Sequence, residues 1–139
     1  MNPDREMLYR AAIEAGGAVP YLMRFGDVPE NDWYEFVGDG IEALIGVAPD
    51  ALDHHAWVRL MQEVVPSDPD FPGGLKEMGR RFKAGEIPHW RSDIHMKIYQ
   101  GPETGREKWV RDCSVLVRDE KGQPVGTLGS LQDVTREKR

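Results

Sequence analysis

Cys113 and Ser114 are the side chains best suited to nucleophilic chemistry, and their adjacency argues against it. Neighbours in a strand-like run project to opposite faces, and neither has a sequence-local histidine to activate it. The four histidines are His54, His55, His89 and His95. His54 and His55 stand about 100° apart on a helix, so one metal ion cannot easily take both, and no further cysteine or histidine falls at zinc spacing. Asp68 and Asp70 offer carboxylates two residues apart, but Pro69 between them and Phe71-Pro72 after them break the alternating-oxygen pattern of a calcium loop. They read as turn carboxylates. Remaining charges fall in turns or on one side of helices, with no convergent acid, base and nucleophile. The expectation is a domain that is not itself an enzyme and has no metal site.

The elements that must position these side chains follow from periodicity. At 139 residues and 40% hydrophobic, the chain fits one domain with one sizeable core. Met7, Leu8, Ala11, Ala12 and Ala15 recur at helical spacing within residues 4–15, and Gly16-Gly17 stops that helix. Residues 18–25 and 32–37 are short and rich in aromatic or β-branched side chains, with turn chemistry between them, and predict a hairpin. Over residues 40–65 the strand signal disappears. Ile41, Leu44 and Ile45, then Ala56, Leu60, Met61 and Val64, predict several short helices broken at Gly46 and Pro49. Leu75, Met78, Gly79 and Phe82 place an apolar stripe on a last helix that ends at Gly85. Residues 90–99, 108–118 and 123–134 predict an antiparallel meander, the first strand setting Ile94, Met96 and Ile98 on one face and His95, Lys97 and Tyr99 on the other.

Charge and composition narrow the partners. A formal charge of −6, with Arg80, Arg81 and Lys83 as the small basic cluster, argues against a nucleic-acid partner. No apolar run approaches the roughly 18 to 20 residues that cross a bilayer, and the first six residues lack the apolar core of a secretory signal. No direct membrane insertion is expected, although a parent chain could carry membrane segments elsewhere. The lone Cys113 fits a reducing compartment, so the expected location is cytoplasmic. At the C-terminal end, Asp133-Val134-Thr135 closes an apolar strand and Arg136-Glu137-Lys138-Arg139 begins a charged segment, which reads as a connector to an effector.

Two strands, a cluster of short helices, then three longer strands with a charged exit is the order of the PAS domain family. The chain resembles that family over nearly its whole length. Tyr9-Arg10-Ala11-Ala12-Ile13-Glu14 is similar to its entry helix, and Tyr34-Glu35-Phe36-Val37 with Gly40 to Gly46 to its second strand and first short helix. Pro66 with Asp68 resembles the loop after the helical block. Trp109-Val110-Arg111-Asp112, Asp119-Glu120-Lys121-Gly122 and Gly129 to Lys138 resemble its C-terminal half, including the PAC-type motif, in order and spacing.

The resemblance implies an α+β fold, with a five-stranded antiparallel sheet, short helices on one face and a small cavity between them. It divides the chain into an N-terminal capping or dimerisation helix (1–17), the PAS domain (18–135) and the start of a connector helix (136–139). Asp133 and Thr135 resemble the family's terminal aspartate-hydrophobe-threonine motif, which ties the last strand to the connector. Thr135 is suited to cap the next helix, and Asp133 to fix the exit angle by a hydrogen bond or ion pair. Relatives bind haem, flavin, small metabolites or nothing. Covalent flavin chemistry is disfavoured because Cys113 lies in a strand and Leu131 falls where light-oxygen-voltage sensors place a flavin-contacting glutamine. Haem is disfavoured because residues 74–85 contain no histidine; His54 or His55 reaches the cavity only if the helices are arranged unusually. The cofactor is left unknown. Candidate pocket residues for a small organic ligand are Leu44, Leu60, Met61, Phe82, Ile94, Met96, Ile98 and Thr127. The expected function is sensing or dimerisation, as a homodimer coupled to an attached effector such as a histidine kinase or a cyclic-dinucleotide enzyme. The main alternative is a ligand-free interaction scaffold.

Overall fold

Alternating side chains govern the second half of the chain, and the sheet follows from them. The computed structural model describes residues 3–138; Met1, Asn2 and Arg139, the outermost residues of the expected first helix and connector, lie outside the described residues. Helix α1 (Pro3–Ala15) precedes strands β1 (Val19–Arg24) and β2 (Trp33–Val37), then helices α2 (Ile41–Ile45) and α3 (His54–Leu60). Strand β3 (Met61–Pro66) and helix α4 (Gly74–Lys83) lead into β4 (His89–Lys97), β5 (Glu107–Arg118) and β6 (Pro124–Asp133). The strands form one antiparallel sheet in the order β2-β1-β6-β5-β4-β3.

The sheet thus has six strands where the sequence predicts five, and the sixth is β3. Met61 and Val64 are not on a helix: α3 stops at Leu60, and Met61 is already extended (φ −71°, ψ 129°). A bulge explains why the sequence misleads. The register slips between Met61 and Glu63, so Met61 lies opposite Met96 while Val64 lies opposite Ile94. Two residues three apart on β3 therefore meet two residues two apart on β4, and the three-residue spacing imitates a helical period.

The inner face of the sheet carries the core. Ile94 and Met96 from β4, Val110 from β5 and Leu131 from β6 pack with Ile41 and Ile45 of α2 and Leu60 of α3, all nearly inaccessible to solvent. Complete burial of each such side chain contributes roughly 1.5 to 3 kcal/mol. Helix α4 adds Met78 and Phe82 as buried residues, while Leu75 at its start is partly exposed. On the opposite, outer face lies α1. Its Arg10 guanidinium sits 4.5 Å from the centre of the Phe36 ring, and Tyr9 and Ile13 border a shallow groove with Cys113, Val115 and Leu128. Met7 and Leu8 remain 68% and 70% exposed, so this part of the α1 stripe is not used by the domain's own sheet.

Candidate functional site

Strand β5 presents Val110, Asp112 and Ser114 to the inner face because its residues alternate. Val110 joins the core, but Asp112 puts a carboxylate among apolar groups. A phenol meets it: Tyr21 Oη, from β1, donates a 2.6 Å hydrogen bond to Asp112 Oδ1. The two residues are far apart in sequence and are brought together across β6, which pairs with both β1 and β5. Gly129 of β6 makes the approach possible. A Cβ there would stand 2.8 Å from Tyr21 Cζ and 2.7 Å from Ser114 Cβ, so any side chain would push the phenol away.

This pair sits on the wall of a cavity of about 330 Å³ between the sheet and helices α3 and α4. Aromatic side chains line much of it. Tyr34 meets Tyr21 edge-to-face with ring centres 6.0 Å apart, and Phe82 packs against Trp90 at 5.9 Å. Trp57 of α3 and Phe25 complete the apolar wall, with His54 one turn before Trp57. Asp53 caps α3 by accepting a 2.8 Å bond from the Ala56 amide, which fixes the turn that carries His54 and Trp57. Gly79 of α4 leaves open space at the wall, since a Cβ there would meet nothing within 4 Å.

Enclosure sets the proton affinities. Asp112 retains some accessible surface because it borders the cavity, yet protein surrounds it on all sides, and this desolvation pushes its carboxyl up to about 6. The Tyr21 bond acts the other way and favours the ionised form. Tyr21 itself is raised well above its usual range, chiefly by burial and then by the Asp112 charge, so it remains a donor at neutral pH. Tyr34 is raised for the same two reasons. Chemically, the arrangement can hold a charge and exchange hydrogen bonds at a largely apolar surface.

The sequence-derived pocket residues divide sharply. Phe82 and Thr127 line the cavity, and both are buried residues. Leu60, Ile94, Met96 and Ile98 fill the core instead, each 3% exposed or less. Met61 lies on edge strand β3 and packs against the core. Leu44 borders a different groove, beside Lys108 and Asp133. Sequence reasoning missed Tyr21, Asp112, Ser114 and Trp57. One signal was present: Asp112 shares a face with Val110, so a carboxylate was placed on the core side of a strand. His54 does reach the cavity. Cys113 projects to the outer face, away from it, where burial raises its thiol. Among the described residues no three His, Cys, Asp or Glu side chains converge as a metal site, and no helix is long and apolar enough to cross a membrane.

The end of β6 is tied back to β5. Asp133 Oδ1 accepts bonds from the Thr135 amide (2.9 Å) and the Thr135 hydroxyl (2.6 Å), and Thr135 Oγ1 accepts from the Trp109 amide (3.0 Å). The cap on the exit turn is thus Asp133, while Thr135 anchors that turn to β5. Val134 is buried and its amide bonds Trp109 O at 2.8 Å. A 3-10 turn follows at Thr135–Lys138. On the outer face, Arg111 grips Asp93 through Nε (2.8 Å) and Nη2 (3.1 Å), and its Nη2 also reaches Glu137 at 3.1 Å. Lys138 pairs with the same Asp93 at 2.8 Å and lies over the Trp109 ring. Arg111 precedes the cavity carboxylate, Asp112, in the chain.

Solved structures share this architecture. The N-terminal domain of a diguanylate cyclase with a PAS/PAC sensor from Marinobacter aquaeolei is 22% identical, with a TM-score of 0.63 over 88% of this chain and 99% of that one. A light-oxygen-voltage domain studied with a flavin analogue is 16% identical, with a TM-score of 0.61 over 92% of this chain and 85% of that one. A sensory box histidine kinase/response regulator from Burkholderia thailandensis is 14% identical, with a TM-score of 0.52 over 94% of this chain and 87% of that one. No protein-family model and no curated protein matches the sequence.

Proposed function

We propose that this PAS-fold domain is a sensory module that takes a small ligand into the cavity behind Asp112 and passes the change to an attached effector through the ends of β5 and β6. The observation that carries this reading is the position of β5. Its inner face places Asp112 on the cavity, and its outer face places Arg111 against Glu137 of the exit turn. A ligand that favours one packing of α3 and α4 against the sheet shifts the population of that packing, and β5 touches both ends of the change. Asp133 and Thr135 fix the direction in which the chain leaves the sheet. The similar folds of a cyclase-linked sensor and of a histidine kinase make those effector types the first to test, and the lone Cys113 favours a cytoplasmic setting.

A second reading has its own support. Met7, Leu8 and Tyr9 on α1 and Val115 on β5 expose apolar surface on the outer side of the sheet, which suits a homodimer in which the domain acts as a scaffold. Native mass spectrometry with an absorption spectrum of the purified protein separates the two. A small retained mass supports sensing. A dimer without retained mass, unchanged in stability by any added small molecule, supports the scaffold. In a full-length parent, Asp133→Ala is expected to blunt the response to signal; an unchanged response would count against coupling through this turn.

A further inference from the structure

We propose that the ligand of this cavity is a small organic cation, an ammonium or quaternary ammonium group seated against Asp112 with its apolar body among Tyr34, Trp57, Phe82 and Trp90. This rests on the reading of the cavity as a ligand site, and it adds the charge and shape of what enters.

Asp112 is an anion without a cation among the described residues. Among the described residues, Asp93 pairs with Arg111 and Lys138, Glu103 with Lys108 and Arg106, Glu77 with Arg80 and Arg81, and Asp32 with Lys83. Asp112, which protein surrounds on all sides, has no lysine, arginine or histidine of the described residues within ion-pair distance. Its one hydrogen-bond partner is neutral, the Tyr21 hydroxyl on Oδ1. Oδ2 is unbonded, yet it is not a sealed orphan, because among the described residues no buried side-chain oxygen lacks a partner. Its free edge therefore has access to open space, and Asp112 borders the cavity. A desolvated carboxylate with one free edge is most stabilised by a positive donor brought to that edge.

The surrounding groups select the same chemistry. The faces of aromatic rings attract cations through their negative quadrupole, and indole rings do so most strongly. Two tryptophans, two tyrosines and two phenylalanines line this one cavity. The other charged or titratable groups on it are Asp32 before β2, His54 on α3 and Lys83 on α4. Lys83 is held 3.9 Å from Asp32 and lies 4.6 Å from the centre of the Phe25 ring, so the cavity's own ammonium is engaged at the rim. An entering anion would meet two carboxylates; an entering cation meets one that is unpaired.

The test compares three ligands of nearly equal shape, phenethylammonium, 2-phenylethanol and phenylacetate, titrated into the intact protein at pH 7.5 by calorimetry. Phenethylammonium is expected to bind at least about tenfold more tightly than the alcohol, the difference between a charge-assisted and a neutral hydrogen bond, and phenylacetate more weakly than both. Asp112→Asn keeps the shape and an acceptor for Tyr21. It is expected to bring the ammonium and the alcohol within about twofold of each other while leaving the alcohol's affinity unchanged. Equal or tighter binding of the alcohol or the acid would overturn the cation assignment and leave the ligand site standing. Binding of none of the three at millimolar concentration would also overturn it. The ligand-site reading falls separately, if native mass spectrometry finds no retained mass and filling the cavity by Gly79→Leu alters neither ligand binding nor effector response.

Discussion

Asp112 and Asp93 are the same residue type on neighbouring strands, and the two faces of the sheet treat them in opposite ways. On the outer face Asp93 has Arg111 and Lys138 around it, and these hold its carboxyl below the usual range. On the inner face Asp112 meets only a phenol, and enclosure pushes it up to about 6. The outer carboxylate is a finished structural contact that ties the exit turn to the sheet. The inner one has no charged partner among the described residues. That difference separates a group kept for stability from one kept at a cost to it.

Breaking the inner face in two places sharpens the contrast most. Met96→Ala, in the packed part of the core, is expected to cost about 2 to 5 kcal/mol by chemical denaturation, because the space left cannot collapse completely. Asp112→Asn, on the cavity, is expected to go the other way and stabilise the ligand-free protein by about 1 to 3 kcal/mol at pH 7.5. The sign follows from linkage. The Asp112 carboxyl holds its proton more tightly when folded, so between about pH 4, where the unfolded carboxyl titrates, and about 6 the folded protein loses stability as the pH rises. The advantage of the asparagine should therefore disappear below about pH 4.

The outer face should respond with the opposite slope. Asp93 is lowered first by its bond to Arg111, so its contribution is present above the unfolded carboxyl range and is lost as the pH falls through the folded value. Arg111→Gln is expected to cost roughly 0.5 to 1.5 kcal/mol at neutral pH, less at high salt, and to loosen the turn at Glu137, read as faster amide exchange there. Thr135→Val removes the acceptor for the Trp109 amide and is expected to cost about 1 kcal/mol. The smallest effect is Gly79→Ala. A helical alanine replaces a glycine and meets open space, so a gain of about 0.5 to 1 kcal/mol is expected together with weaker ligand binding.

The sequence made some of this plain. Alternation in Ile94, Met96 and Ile98 placed the core face of β4 directly, and the stripe through Met78 and Phe82 found α4 because both patterns are set by local geometry. Strand β3 was hidden because its bulge imitates a helical spacing. Phe82 and Thr127 were recognisable as inward-facing residues, but periodicity alone does not distinguish a side chain that fills a core from one that borders a cavity, so Leu60 and Met96 were grouped with them. The Tyr21–Asp112 bond is a contact across β6 between distant segments, and its geometry depends on the space that Gly129 leaves. No local pattern encodes such a contact.

On the proposed reading, β5 binds on one face and couples on the other. Titration of the intact protein with phenethylammonium, followed by backbone amide NMR, tests it most directly. Saturable shifts are expected at Tyr21, Asp112, Ser114 and Thr127, extending with the same midpoint to Trp109 and Thr135. Inner-face shifts that stop short of Trp109 and Thr135, or shifts confined to the outer face around Tyr9 and Val115, would overturn that reading.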